Sequence, residues 1–240
     1  MGAQRSAPPG LDFVPIPGSD PNLVFGVIRA TLGTSTNTAL GAVFRRLFPV
    51  AKPKDPQAPW PKATCFKSDV LLPDWTNVDY YDPQVPCRAY DAQTWEGVRD
   101  LAIIMNLRFP ETLSSDGSAP TMSLTGAYEL ARAYSYEKLT RERGLAVIVA
   151  MHVPSRAGIV DGYPHCHVIG LCRSLAGPAG FGPFKPELCR DSSREIIEAE
   201  WASWRADWKG ASPSRTLDHP TDPPAPRASL PKNSRRKFRR

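Results

Sequence analysis

Apolar positions along the chain fall into runs of two periods. The stretches LVFGVIRAT (23–31), CFKSDVLL (65–72), LAIIMNLRF (101–109) and LAVIVAMH (145–152) are short and rich in β-branched residues. With HCHVIGLCR (165–173) they read as five strands, several of them stopped by Pro73, Pro110 or Pro154. Helical spacing appears in four other places. TALGAVFRRLF (38–48) predicts a helix capped by Thr34, Ser35 or Thr36. Asp91 is a plausible N-cap for a short helix presenting Trp95, Val98 and Ala102. A longer helix over 122–143 carries Leu124, Tyr128, Ala131 and Leu139 on one stripe and stops at Gly144. The last, 193–208, places Ile197, Trp201, Trp204 and Trp208 on one face, which reads as core. Proline-rich stretches at 49–62 and 74–90 predict loops, as does GPAGFGPFKPE (177–187). This order of elements predicts an α+β fold, an antiparallel five-stranded sheet with helices packed on one face.

Prolines at 8, 9, 15, 17 and 21 with no regular period predict a mobile arm over 1–22, ahead of a domain spanning 23–219. A Pro-rich, basic tail follows over 220–240. Composition adds little until the tail is considered. The net charge is +6, but the last ten residues alone hold six Lys or Arg, so the excess is local. Arg235, Arg236, Lys237, Arg239 and Arg240 are therefore the candidate phosphate contacts, against the plainer reading of a solvated charge run. No apolar run is long enough to span a bilayer and no secretory leader is visible. Five cysteines without a CxxC pair favour reduced thiols and a cytoplasmic setting.

The chemistry concentrates in one stretch. Three of the four histidines, His152, His165 and His167, lie within 16 residues. In a strand His165 and His167 share a face while Cys166 points away. A hairpin-like pairing brings His152, at the end of the preceding strand, beside them. Three neutral imidazoles with room left for substrate form a metal site, with Mg²⁺ or Mn²⁺ as the expected ion and Zn²⁺ as the other option. A zinc knuckle drawing on Cys166 and Cys172 fits poorly, since Cys166 faces away. A nucleotide hydrolase of the HIT type needs a third alternating histidine, and Ile169 stands in that place. A cation held by neutral nitrogens keeps its charge and can polarise a phosphodiester. Cutting a nucleic-acid strand then needs a nucleophile, either a tyrosine or water.

YPHCHVIG (163–170), with His152 a dozen residues earlier, resembles the N-P-H-x-H motif of HUH relaxases of the MobA/MobL type. Tyr163 occupies the usual asparagine place. SDVLLP (68–73), LRFPETLS (107–114) and TLDH (216–219) resemble further motifs of that family in the right order, so the likeness runs over roughly 23–220. The resemblance implies a single-stranded DNA endonuclease and strand transferase. Such an enzyme acts at an origin of transfer in plasmid mobilisation, with accessory proteins as partners, and joins the 5′ end to a tyrosine. It also implies a five-stranded antiparallel sheet with packed helices.

Two departures stand out. The family's tyrosine belongs on the first helix, where this chain has Phe44, and no tyrosine precedes Tyr80. Tyr80 or Tyr81 is then the expected substitute nucleophile; failing that, water attacks or catalysis is lost. Family glutamates are replaced around Ile104, Met105 and Asn106, leaving Asp69 as the acid expected to orient a histidine.

Overall fold

β-branched residues crowd the centre of the chain's sheet because its middle strands are covered on both sides. The computed structural model describes residues 11–93, 98–114, 118–159 and 161–209. In chain order these form β1 (Leu23–Arg29), the short β2 (Thr31–Leu32) and β3 (Ser35–Thr36), then α1 (Ala39–Leu47) and β4 (Lys67–Leu71). Then come α2 (Gln84–Ala92), β5 (Asp100–Arg108), α3 (Leu124–Tyr134), β6 (Leu145–His152), β7 (His165–Leu175), β8 (Phe181–Phe184) and α4 (Ser193–Asp207). The principal sheet is antiparallel in the order β1-β5-β7-β6-β4, and β8 adds a sixth strand at the far end of β7. The α+β class is as expected; the sixth strand is additional. It lies in the glycine- and proline-rich stretch expected as a loop, where Pro183 is tolerated because the strand is at the margin.

Helices cover both faces, not one. Val147, Val149, Met151 and Val168 join Ala131, Tyr134, Ile197 and Trp201 in one core, under α3 and α4. Ala146, Ile148, Ala150 and Ile169 join Leu40, Val43, Phe44 and Tyr90 in the other, under α1 and α2. The reason is legible in β6, where Leu145 through Met151 are all buried: an uninterrupted apolar strand has no face to give to water. Trp201 is fully buried, and Trp204 and Trp208 pack against the same core, as their stripe predicts.

Local capping departs from the sequence expectation. Thr38, not an earlier hydroxyl residue, caps α1 by accepting from the Gly41 amide at 2.9 Å. Asp91 does not start a helix; it ends α2 and lends its carboxylate to α1, accepting from the Ala39 and Leu40 amides at 2.8 and 3.0 Å. Trp95, expected on the Asp91 helix, lies outside the described residues. The helix from Ser123 continues through a wider turn, Ser135–Arg141, and Gly144 ends it with φ +71°.

Residues 11–22, expected as part of a mobile arm, are packed. Phe13 is buried over Gly26, and Ile16 donates its amide to the Phe25 carbonyl at 2.8 Å. Asp12 reaches α1, where Arg46 grips its carboxylate at 2.5 Å and Arg45 adds a second ion pair. Ser19 donates to Glu198 on α4 at 2.7 Å, and Arg194 donates to the Ile16 carbonyl at 2.5 Å. Cys172 and Cys189 form a disulfide with Cα atoms 5.9 Å apart, contrary to the expectation of reduced thiols throughout. Cys65, Cys87 and Cys166 are free. No described helix is long and apolar enough to cross a membrane.

Candidate metal centre

The histidines meet because register puts them there. β6 and β7 pair antiparallel with His152 opposite His165, and His167 lies between Ala150 on β6 and Asn106 on β5. All three follow the alternation of Ala150 and Ile169, so they lie on the α1/α2 side at one end of the sheet. Ring centroids are 4.6 Å (152–167), 4.8 Å (165–167) and 5.2 Å (152–165) apart. One nitrogen from each ring falls within 4.8 Å of the others.

Backbone carbonyls set the tautomers of two rings. His152 Nε2 bonds the Arg46 carbonyl at 2.6 Å and His165 Nδ1 bonds the Tyr163 carbonyl at 2.8 Å. A ring nitrogen facing a carbonyl must carry the proton, which leaves a lone pair on His152 Nδ1 and on His165 Nε2. His167 Nδ1 is buried with no hydrogen-bond partner, and so is Oδ1 of its cross-strand neighbour Asn106. Buried polar atoms without a partner on two paired residues are unusual and mark a place where a ligand is expected.

Electrostatics keeps the rings neutral. Burial lowers the pKa of all three; His165 is pushed down to about 4 and His167 well below the ordinary range. The charged neighbours that add to this are cationic, Arg46 for His152 and His167 and Arg108 for His165, besides the other histidines. No carboxylate acts on the trio among the described residues. Neutral imidazoles are the form that binds metal, so the donor set fits a divalent cation.

Arg108 flanks the site, paired in register with His165, while Arg156, just after β6, stacks at 4.4 Å over Phe66, a ring packed against the α3/α4 core. Sequence reasoning missed these residues and the carbonyls of Arg46 and Tyr163. Backbone acceptors carry no side-chain signature, and Arg108 meets His165 only through strand register.

Two of the other expected site residues are not brought to the histidines. Asp69 lies opposite Val149, on the other face of the sheet, and pairs with Arg132 of α3 at 2.5 Å, so it cannot orient a histidine ring. Tyr80 is buried and donates to the Ala179 carbonyl at 2.5 Å, beyond the C-terminal end of β7, while the histidines sit at its N-terminal end. Tyr81 lines a cleft of about 140 Å³ with Leu47, Ser68 and Ile148. That cleft is on the histidine side of the sheet: Ser68 pairs with Ala150, which in turn lies opposite His167. Phe44 is buried against Phe48 and Trp60, with centroids at 5.0 and 5.6 Å. Arg235, Arg236, Lys237, Arg239, Arg240 and the TLDH stretch lie outside the described residues.

Comparison with family models finds no match, and neither does a search of curated proteins. Among solved structures, the chain is similar to a protein whose structure gives the molecular basis of vancomycin resistance transfer in Staphylococcus aureus. The two are 17% identical with a TM-score of 0.46, over 60% of this chain and 69% of that one. The functional reading rests on the site's own geometry.

Proposed function

We propose that this chain is a relaxase-like, metal-dependent protein that nicks and transfers single-stranded DNA in plasmid mobilisation or conjugative transfer. The observation that carries the reading is the convergence of three neutral imidazoles at the end of two paired strands. His152, His165 and His167 hold the ion, and the carbonyls of Arg46 and Tyr163 fix the first two rings in their ligating tautomers. A bound divalent cation supplies Lewis-acid stabilisation of charge on a phosphodiester. Arg108 offers positive charge to a flanking phosphate, and the basic tail from Arg235 to Arg240 holds further candidate phosphate contacts. An all-nitrogen donor set favours Mn²⁺ or Zn²⁺ over Mg²⁺. The likeness of YPHCHVIG to the relaxase motif supplies the substrate class. A cytoplasmic location and mobilisation accessory partners go with the same reading.

A second reading has its own support. Phe44 has no oxygen to attack phosphorus and is locked among aromatic rings, while the Tyr80 hydroxyl is occupied elsewhere. On that ground the chain is a DNA-binding mobilisation protein that has kept the metal centre as a scaffold.

Incubating the protein with origin-bearing single-stranded DNA and Mn²⁺ separates the two. Cleavage supports the nicking reading; metal and DNA binding without cleavage supports the scaffold. A His165→Ala/His167→Ala variant that bound metal as tightly as wild type would overturn the site altogether. Deleting 232–240 should flatten the dependence of log affinity on log salt by roughly 0.7 per lost phosphate contact on a single strand.

A further inference from the structure

We propose that Tyr163 is the nucleophile of the strand-transfer step, a claim that rests on the nicking reading above. The chain has seven tyrosines. Tyr90, Tyr128 and Tyr134 are buried in the two cores. Tyr80 is buried too, its hydroxyl bound to the Ala179 carbonyl past the distant end of β7. Tyr136 donates to Asp74 at 3.2 Å, and Tyr81, 39% exposed, lines the cleft with Leu47, Ser68 and Ile148. Tyr163 is 48% exposed and differs from all of these in lying on the loop that delivers His165.

Its place is held from both sides. The Tyr163 carbonyl accepts a hydrogen bond from His165 Nδ1 at 2.8 Å, which ties the backbone of Tyr163 to the ligand ring. They are two positions apart, with Pro164 between them, which keeps their Cα atoms within ~7 Å. Gly162, just before, packs against Pro154 at the start of the same loop; an added Cβ would come within 3.1 Å of that proline ring. Pro164, just after, fixes the chain direction into β7 through its rigid φ, and its carbonyl accepts from Phe109 at 2.9 Å. An exposed tyrosine is thus tied through its backbone to a candidate metal ligand, with Arg108 opposite that ligand to hold the DNA backbone.

The step balances without another reactant. The Tyr163 Oη forms a bond to phosphorus as the bond from phosphorus to the 3′ oxygen breaks. The phenol proton ends on the departing 3′-hydroxyl, and a DNA phosphodiester becomes a 5′-phosphotyrosyl diester. The reverse attack by a 3′-hydroxyl reseals the strand.

The test uses a randomised pool of single-stranded oligodeoxynucleotides labelled at the 3′ end, with Mn²⁺ and the full chain. A denaturation-resistant labelled adduct is expected, mapping after reduction and trypsin to peptide 157–173, whose one tyrosine is Tyr163. Tyr163→Phe should lose that adduct while binding Mn²⁺ and DNA like wild type. Phe44→Tyr serves as the positive control for the pool. An adduct on the peptide carrying Tyr80 and Tyr81, cleavage without an adduct, or no wild-type adduct where Phe44→Tyr or neither protein gives one, each overturns the assignment. Failure of the wild-type chain to bind either Mn²⁺ or the DNA would instead sink the nicking reading itself.

Discussion

His152 Nε2 donates to the Arg46 carbonyl at 2.6 Å, while the guanidinium of the same Arg46 grips buried Asp12 at 2.5 Å. One residue of α1 therefore ties a metal-ligand ring to a segment near the start of the chain.

Replacing Asp12 by Asn should loosen both ties. It leaves the buried Arg46 cation without its counter-charge, and breaking a buried pair costs about 3–5 kcal/mol. Urea denaturation should show that loss at neutral pH. The Mn²⁺ affinity should fall by up to about tenfold, the lower end of what the partners of metal-bound histidines contribute. Unchanged affinity in a folded Asp12→Asn protein would show that the Arg46 carbonyl stays in place without its anchor.

The same pair predicts an acid limb. Burial alone would raise the Asp12 pKa, but the hydrogen bonds and charges of Arg46 and then Arg45 reverse this and leave it lowered. The unfolded chain, with an ordinary value near ~3.9, takes up the proton first as pH falls. The stabilisation is thus full above about pH 4 and disappears as pH drops through the folded-state value. Wild-type stability should decline through that window, and the Asp12→Asn variant should show a shallower decline.

Metal should stabilise the fold in proportion to its binding. At a free concentration one hundred times Kd the gain is about 2.7 kcal/mol, visible as a higher Tm that a chelator reverses. The effect should be larger for Mn²⁺ or Zn²⁺ than for Mg²⁺ and absent from the His165→Ala/His167→Ala pair. Equal Tm with and without metal would contradict the site.

Asp91→Ala should cost about 1–2 kcal/mol, since it strips two acceptors from the first turn of α1. The carboxylate is partly buried, and its pKa is raised by that burial against the amide hydrogen bonds that lower it. Differential unfolding of Asp91→Ala and Asp91→Asn measures how much of the effect is charge.

Reducing the Cys172–Cys189 disulfide opens a loop of 17 residues, for which chain entropy gives a loss of about 3 kcal/mol. A Tm scan with and without reductant checks this, and Cys172→Ser/Cys189→Ser should be insensitive to reductant.

The strands and the histidine trio were legible because both are local patterns: apolar runs ended by proline, and alternation placing His165 and His167 on one side. What escaped notice depended on distant partners. Asp91 looked like the cap of its own helix, yet the amides it accepts from are about fifty residues upstream. α2 was hidden by Pro83 and Pro86, although a proline in the first turn interrupts no helical hydrogen bond. Asp69 looked close to the histidines in sequence pattern, but one step of strand alternation sent it to the opposite face. The bond between Cys172 and Cys189 joins a strand to a turn with no spacing rule to announce it.

Phe13 and Ile16 bridge to Ile28 and Phe25 along β1, which borders the sheet. A bare border strand offers its amides and carbonyls to any neighbouring chain. Residues 11–22 thus act as a guard against self-association as well as a tie between helices. A chain trimmed to begin at Leu23 should form concentration-dependent, β-rich oligomers, even before its metal affinity is measured.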